Sequence, residues 1–207
     1  IGWGSRGVEG KIKAIKYARE NKIPYLGLCF GMQLACVEFA RDVLKWKDAN
    51  TEEVNSKTKH KIIHSIPFDP KYQVIKGKGT SMRLGAYDCV IKKDTLAYKI
   101  YSEYGIGKKL KNGQLIVSER HRHRYEFNNE YKKIMEDSGI TFSGTSPDNF
   151  FVEVIELPKR AHPFFLATQA HPEYKSSPLK PHPFFLAFVK ASEKFRKQKN
   201  KEEDNPN

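Results

Sequence analysis

Along the first third of the chain, the apolar positions change period twice. Val8, Ile12, Ile15 and Ala18 fall close to helical spacing, and Glu9 sits near the positive helix end, which predicts a helix over Val8–Asn21 that Pro24 stops. Tyr25–Leu28 is a short apolar run suited to a buried strand. Met32, Ala35, Cys36, Phe39, Ala40 and Val43 then recur on one helical face, while Glu38, Arg41, Asp42 and Lys45 point the other way. The opening architecture is therefore strand, sharp turn, helix.

Further along, Lys57–Lys78 carries six lysines, two histidines, two prolines and a single acid, and its weak periodicity predicts a mobile surface excursion. Tyr87–Ile91 and Gln114–Ser118 read as strands, and Thr95–Tyr104 as a helix stopped by Gly105. Asn128 caps a helix that ends before Gly139. A Pro147-Asp148-Asn149 turn leads into an alternating strand over Phe150–Leu157. The last helix is predicted from Pro183 to Lys197, followed by a disordered tail at 198–207. The expected fold is one α/β domain over residues 1–197, with a mostly parallel central sheet flanked by helices and the site at the carboxyl ends of its strands. The six-residue string His-Pro-Phe-Phe-Leu-Ala occurs at 162 and at 182. Two copies do not make a repeat architecture, and the pair reads as coincidence.

Composition narrows the classes. At 207 residues, 39% hydrophobic and 12% aromatic, the chain can bury a core and lies outside disordered compositions. No apolar run approaches the ~18 residues of a membrane span. The first residues show no signal peptide, and without an initial Met the chain is expected to begin partway into a longer protein. Cys29, Cys36 and Cys89 are too few and scattered for a disulfide framework or zinc site, so a reducing, cytoplasmic setting is expected, with no metal. A net charge of +13 raises nucleic acid, a polyanion or an anionic small molecule as partner. The densest basic run, Arg120-His121-Arg122-His123-Arg124, can be a solvated strand, a nucleic-acid contact or a carboxylate site. No recognised nucleic-acid motif accompanies it.

The sharpest chemical signal is Gly27-Leu28-Cys29-Phe30-Gly31. A nucleophile between glycines, after a strand and before a helix, has the form of a nucleophile elbow. The helix start would favour the thiolate, and the Phe30 N–H could face an oxyanion. The same residues equally fit a buried cysteine in a Gly-rich turn. A cysteine nucleophile needs a base with an orienting partner. His171-Pro172-Glu173 offers both, although His-Pro also occurs at two other places.

Together these segments resemble the triad-type (class I) glutamine amidotransferases. Gly31-Met-Gln-Leu-Ala, Glu38-Phe-Ala-Arg41, Asp48-Ala-Asn50, Met82-Arg-Leu-Gly85 and Glu119-Arg-His-Arg-His-Arg-Tyr-Glu126 are similar to the glutaminase domain of the CTP synthase family, over Gly2 to about Val189. The resemblance implies hydrolysis of L-glutamine here, with ammonia passing to a synthase domain outside this chain. That domain would aminate UTP using ATP and magnesium, bind an allosteric nucleotide and sit in a homo-oligomer. By position Cys29 matches the nucleophile, His171 the base and acid, and Glu173 its orienting residue. Gly2 and Phe30 match the oxyanion donors; Gly2, Phe30, Gly31, Met32, Gln33, Glu53, Arg124 and Tyr125 match glutamine-binding positions. No cofactor is implied in this domain, nor nucleic acid or membrane as partner. The chain departs from the family at Ile1, where Pro-Gly-Gly-Phe-Gly is usual but Ile-Gly-Trp-Gly stands here, at Ala170, where an aromatic is common, and at Gly79-Thr80-Ser81, where Gly-Gly-Thr is expected. The rivals are another cysteine hydrolase using the same elbow, and a basic non-catalytic module that binds nucleic acid or a partner.

Overall fold

A computed structural model describes residues 1–66 and 82–204. In chain order the elements are α1 (Val8–Glu20), β1 (Tyr25–Leu28), α2 (Phe30–Asp42), β2 (Asn50–Thr51), β3 (Lys61–Ser65), β4 (Arg83–Ile91), α3 (Leu96–Glu103), β5 (Lys108–Lys109), β6 (Leu115–His123), β7 (Tyr125–Phe127), α4 (Lys132–Asp137), β8 (Thr141–Thr145), β9 (Val152–Glu156), β10 (Phe165–Thr168) and α5 (Pro183–Asp204). Short 3-10 turns occupy Asn129–Tyr131 and Pro172–Lys175.

Seven strands form a sheet in the order β1-β10-β9-β8-β4-β6-β5, and β2-β3-β7 form a smaller one. The expected α/β layering, a central sheet with helices against it, is present. The expected parallel sense is not: in the large sheet β1 and β10 pair in parallel, and every other pairing is antiparallel. The reason lies in the connections. β1 and β10 are separated by most of the chain and pair in parallel, whereas β8–β9 and β9–β10 are joined by short links, which can return the chain only antiparallel.

The elbow half follows from its apolar faces. The apolar face of α1 (Val8, Ile12, Ile15) and nearly all of α2 from Phe30 to Ala40 are buried together with Phe142, Ile155 and Phe165 of the sheet. A second cluster, with Ile100, Tyr101, Val154, Leu166 and Phe184, lies between the sheet and α3 and α5. Thr95 caps α3 by accepting from the Tyr98 N–H at 3.2 Å, and Asn128 accepts from the Glu130 N–H at 3.1 Å ahead of α4.

Three expectations need correction. The Lys57–Lys78 excursion contains β3, whose Ile62 and Ile63 are fully buried against the first core; periodicity missed it because lysine and histidine flank only two apolar positions. Residues 67–78 of that excursion, and Gly79-Thr80-Ser81, lie outside the described residues. The helix α5 continues past Lys197 to Asp204, because residues beyond the packed stretch are good helix formers with no apolar period to mark them. The two His-Pro-Phe-Phe strings also share one local device. In each, the His Nδ1 accepts the N–H two residues on at 3.2 Å, while Nε2 reaches across the fold: His162 to the Ala18 carbonyl at 3.1 Å, His182 to Glu119 at 3.0 Å.

Candidate active site

Strand β1 delivers Cys29 to the first turn of α2 with φ 50° and ψ −105°, a conformation rare for a residue with a Cβ and stored at sharp functional turns. The Cys29 N–H donates to the Thr168 carbonyl at 2.8 Å, fixing the elbow to the end of β10. Gly27 is required there. A Cβ at that position would meet the Tyr25 hydroxyl at 2.7 Å, the Ala167 Cβ at 2.9 Å and the Gly31 carbonyl carbon at 3.0 Å. Gly31 is less constrained, since its Cβ would meet only the Tyr25 hydroxyl, at 3.5 Å.

Directly beyond β10, Gln169 donates its Nε2–H to the Cys29 Sγ at 3.6 Å. The His171 N–H donates to the Arg120 carbonyl at 2.8 Å, so the backbone carrying the imidazole is held to β6. Its Nδ1 lies 2.6 Å from Glu173 Oε1, the short Pro172 turn bringing the carboxylate back onto the ring. With Nδ1–H given to Glu173, Nε2 is left as the acceptor nitrogen, and it is buried without a partner among the described residues. Tyr174 stacks on the ring at 5.1 Å.

Cys29 and His171 face one cavity of about 460 Å³. Of the residues matched to glutamine binding, Gly2, Phe30, Gln33, Glu53, Arg124 and Tyr125 line it too. Gly31 and Met32 do not: the Met32 side chain is fully buried in the core on the opposite side of α2, and its N–H is taken by the Cys29 carbonyl. Gln33 gives its amide to the Tyr125 carbonyl at 2.8 Å, and Glu53 accepts the Gly4 N–H at 2.9 Å, tying the first residues of the chain over the cavity. Ala170 is buried and accounts for no contact in the cavity.

Electrostatics at Cys29 run against the expected thiolate. Burial pushes its pKa up to about 12, and the neighbouring Glu126 and Glu173 push the same way; the Phe30 N–H opposes them without prevailing. The helix start is therefore not enough to ionise the thiol in this resting state.

Sequence reasoning missed the floor of the site. In β6 the pleat turns Glu119, His121 and His123 inward and Arg120 and Arg122 outward, so the basic run is half interior. Inside, Arg83 bridges Glu126 at 2.9 Å and Glu153 at 2.5 Å. Between Tyr87 and Phe151 its guanidinium lies 4.6 and 4.4 Å from the ring centres. His123 Nε2 sits 2.5 Å from Glu126 Oε1, and His121 lies 3.5 Å from Glu153. Burial raises both carboxyls, against the pull of Arg83, and lowers both histidines well below their ordinary value. Strict alternation from Leu115 onward was the available signal, masked because the inward residues are polar. Met82, Trp3 and Tyr174 also line the cavity and were not anticipated; Arg122 and His123 line it too, from the basic run for which a carboxylate site was one reading. No group of His, Cys, Asp or Glu placed to hold a metal ion occurs among the described residues.

An elbow cysteine and a histidine with its own carboxylate line one cavity, and the class follows from residues 2–191, which match the family described as Glutamine amidotransferase class-I. The chain belongs to that family. More narrowly, it is 52% identical over 190 residues to a CTP synthase of Caldanaerobacter subterraneus subsp. tengcongensis (92% of this chain, 32% of that protein) and 50% identical over 198 residues to one of Lactiplantibacillus plantarum (96% and 34%). The chain thus spans about a third of the length of the curated relatives it matches. A solved structure titled Trypanosoma brucei CTPS glutaminase domain with bound acivicin superposes with a TM-score of 0.79 at 38% identity, covering 94% of this chain and 69% of that one. Within the class, the chain belongs with the glutaminase domains of CTP synthases.

Proposed function

We propose that this chain hydrolyses L-glutamine through a γ-glutamyl thioester on Cys29 and feeds the ammonia to a synthase domain of the same polypeptide, which aminates UTP at the expense of ATP. The observation that carries the reading is one cavity holding Cys29 at an elbow, His171 held by Glu173, and the Phe30 and Gly2 backbone at its wall. Because the thiol is protonated at rest, His171 Nε2 takes its proton as Sγ attacks the side-chain amide carbon. The oxyanion then forms against the Phe30 N–H and, across the cavity, the Gly2 N–H. Each donor is worth ~3 kcal/mol in the transition state. Collapse expels ammonia, which carries the proton from His171. Water then attacks the thioester, giving glutamate and the free thiol, so that glutamine and water become glutamate and ammonia. Glu53 pairs with the substrate α-ammonium and Arg124 with its carboxylate.

No cofactor is needed for this half-reaction; ATP, magnesium and the allosteric nucleotide belong to the synthase domain. We assign the whole enzyme to the cytoplasm, as a homo-oligomer. Three buried free thiols fit a reducing compartment, and no helix among the described residues is long and apolar enough to cross a membrane.

A diazo-ketone analogue of glutamine tests the reading by intact mass. The expected result is one adduct, mapped to Cys29, blocked by excess glutamine and lost in Cys29→Ala. Labelling that glutamine does not slow would point to another cysteine hydrolase. No adduct at Cys29 would overturn the assignment.

A further inference from the structure

Besides His171, a second imidazole lines the cavity: His123, 6% exposed. Glu126 Oε1 already accepts an N–H from Arg83, so it takes the His123 Nε2–H as well, and the neutral ring is left with Nδ1 as an acceptor. That Nδ1 is buried and has no partner among the described residues, as is His171 Nε2 on the same cavity. Two buried, unpartnered acceptor nitrogens on side chains that line one cavity suit a small molecule with two O–H donors.

Resting on the glutaminase reading, we propose that His123 positions the hydrolytic water of the second half-reaction, its Nδ1 accepting one O–H while His171 Nε2 accepts the other. Such a water has its lone pair free for the thioester carbon. Attack forms the C–O bond, one water proton passes to His171, and the C–S bond breaks as Cys29 Sγ recovers that proton from His171. The second hydrogen, held on His123 Nδ1, leaves with the new carboxyl group and ionises to solvent. Acylation needs no such water, so His123 is assigned to deacylation alone. Its anchor through Glu126 to Arg83 explains why a neutral, fixed imidazole stands where a titrating one would lose its acceptor.

Two isosteric substitutions separate this role from a structural one. His123→Gln keeps a donor toward Glu126 but has no acceptor at the Nδ1 position. His123→Asn keeps a polar atom near Nδ1 and gives up Glu126. The full-length protein, with UTP, ATP and magnesium, is mixed with glutamine, quenched in acid and weighed intact. His123→Gln is expected to label with the diazo-ketone analogue as fast as wild type, to accumulate the γ-glutamyl adduct on Cys29, and to turn over about 100-fold more slowly. Hydroxylamine, which needs no activated water, is expected to restore release as the hydroxamate, and His123→Asn to accumulate less adduct. The inference is overturned if His123→Gln labels normally yet accumulates no thioester, or if His123→Asn accumulates as much. Failure of wild type to label at Cys29 would instead remove the glutaminase reading itself.

Discussion

Cys29 is pulled in two directions, by burial that keeps its proton and by the Phe30 N–H that would release it, and burial dominates. Alkylation of Cys29 by iodoacetamide should therefore climb with pH through 9 without levelling, because the thiolate fraction keeps rising toward a pKa of about 12. A plateau near pH 7 in the rate at Cys29 would mean a standing thiolate–imidazolium pair. His171 depends on one carboxylate oxygen, Glu173 Oε1, while Oε2 has no partner among the described residues. Glu173→Gln keeps the shape but can present its amide to Nδ1 and reverse the tautomer. Steady-state ammonia release should then fall by ~10³ or more, with unfolding midpoints unchanged. Unaltered release would remove Glu173 from the orienting role. Spacing around glycine and proline singled out Cys29, His171 and Glu173 in the sequence, but it left a buried turn cysteine equally open, and their roles came only from the family resemblance. The depressed reactivity of the thiol was not, since it depends on Glu126 and on packing from distant segments.

Between β1 and α2 the chain reverses within a residue or two, and the reversal is possible only because position 27 has no side chain. Gly27→Ala would drive a methyl into Ala167 and into the backbone of Gly31, neither of which can rotate away. The expected cost is about 1–3 kcal/mol in urea unfolding, with slower labelling of Cys29 as the elbow shifts. Gly31→Ala, by contrast, places its methyl at ordinary contact distance and should stay within ~1 kcal/mol of wild type. Equal losses from the two would show that helix-start strain, and not the strand contact, sets the cost. Elements with clean periodicity, α1, β1, α2 and α3, were legible where the structure has them. β6 was read too short because its inward Glu119, His121 and His123 look solvated by residue type; they are interior only because Arg83, Glu126, Glu153 and His182 meet them there. Strand direction was the other loss, since an apolar run records burial and not the sense of its neighbour.

Across the whole molecule the buried polar layer ties β4, β6, β7 and β9 to the site, and it has a single guanidinium at its centre. Removing that cation leaves Glu126 and Glu153 buried without their counter-charge, and Arg83→Met should cost about 3–5 kcal/mol at pH 8. The pH dependence gives the sign. Both carboxyls already hold protons more tightly folded than unfolded, raised from 4.5 to about 7 by burial in spite of Arg83. A raised acid contributes stability below its unfolded value and loses it as pH rises through the folded value. His121 and His123 are depressed, by burial and by Arg83, so they contribute above 6.5 and lose as pH falls. In the native chain the two trends oppose each other between pH 4.5 and 6.5. Without Arg83 the carboxyls rise further and the histidines are released to protonate beside them, so both changes favour proton uptake by the folded state. The cost of Arg83→Met is therefore expected to shrink from pH 8 to pH 5, measured by urea unfolding of both proteins at each pH. A cost that is constant or grows toward acid would mean that Arg83 acts by packing between Tyr87 and Phe151, and not by charge.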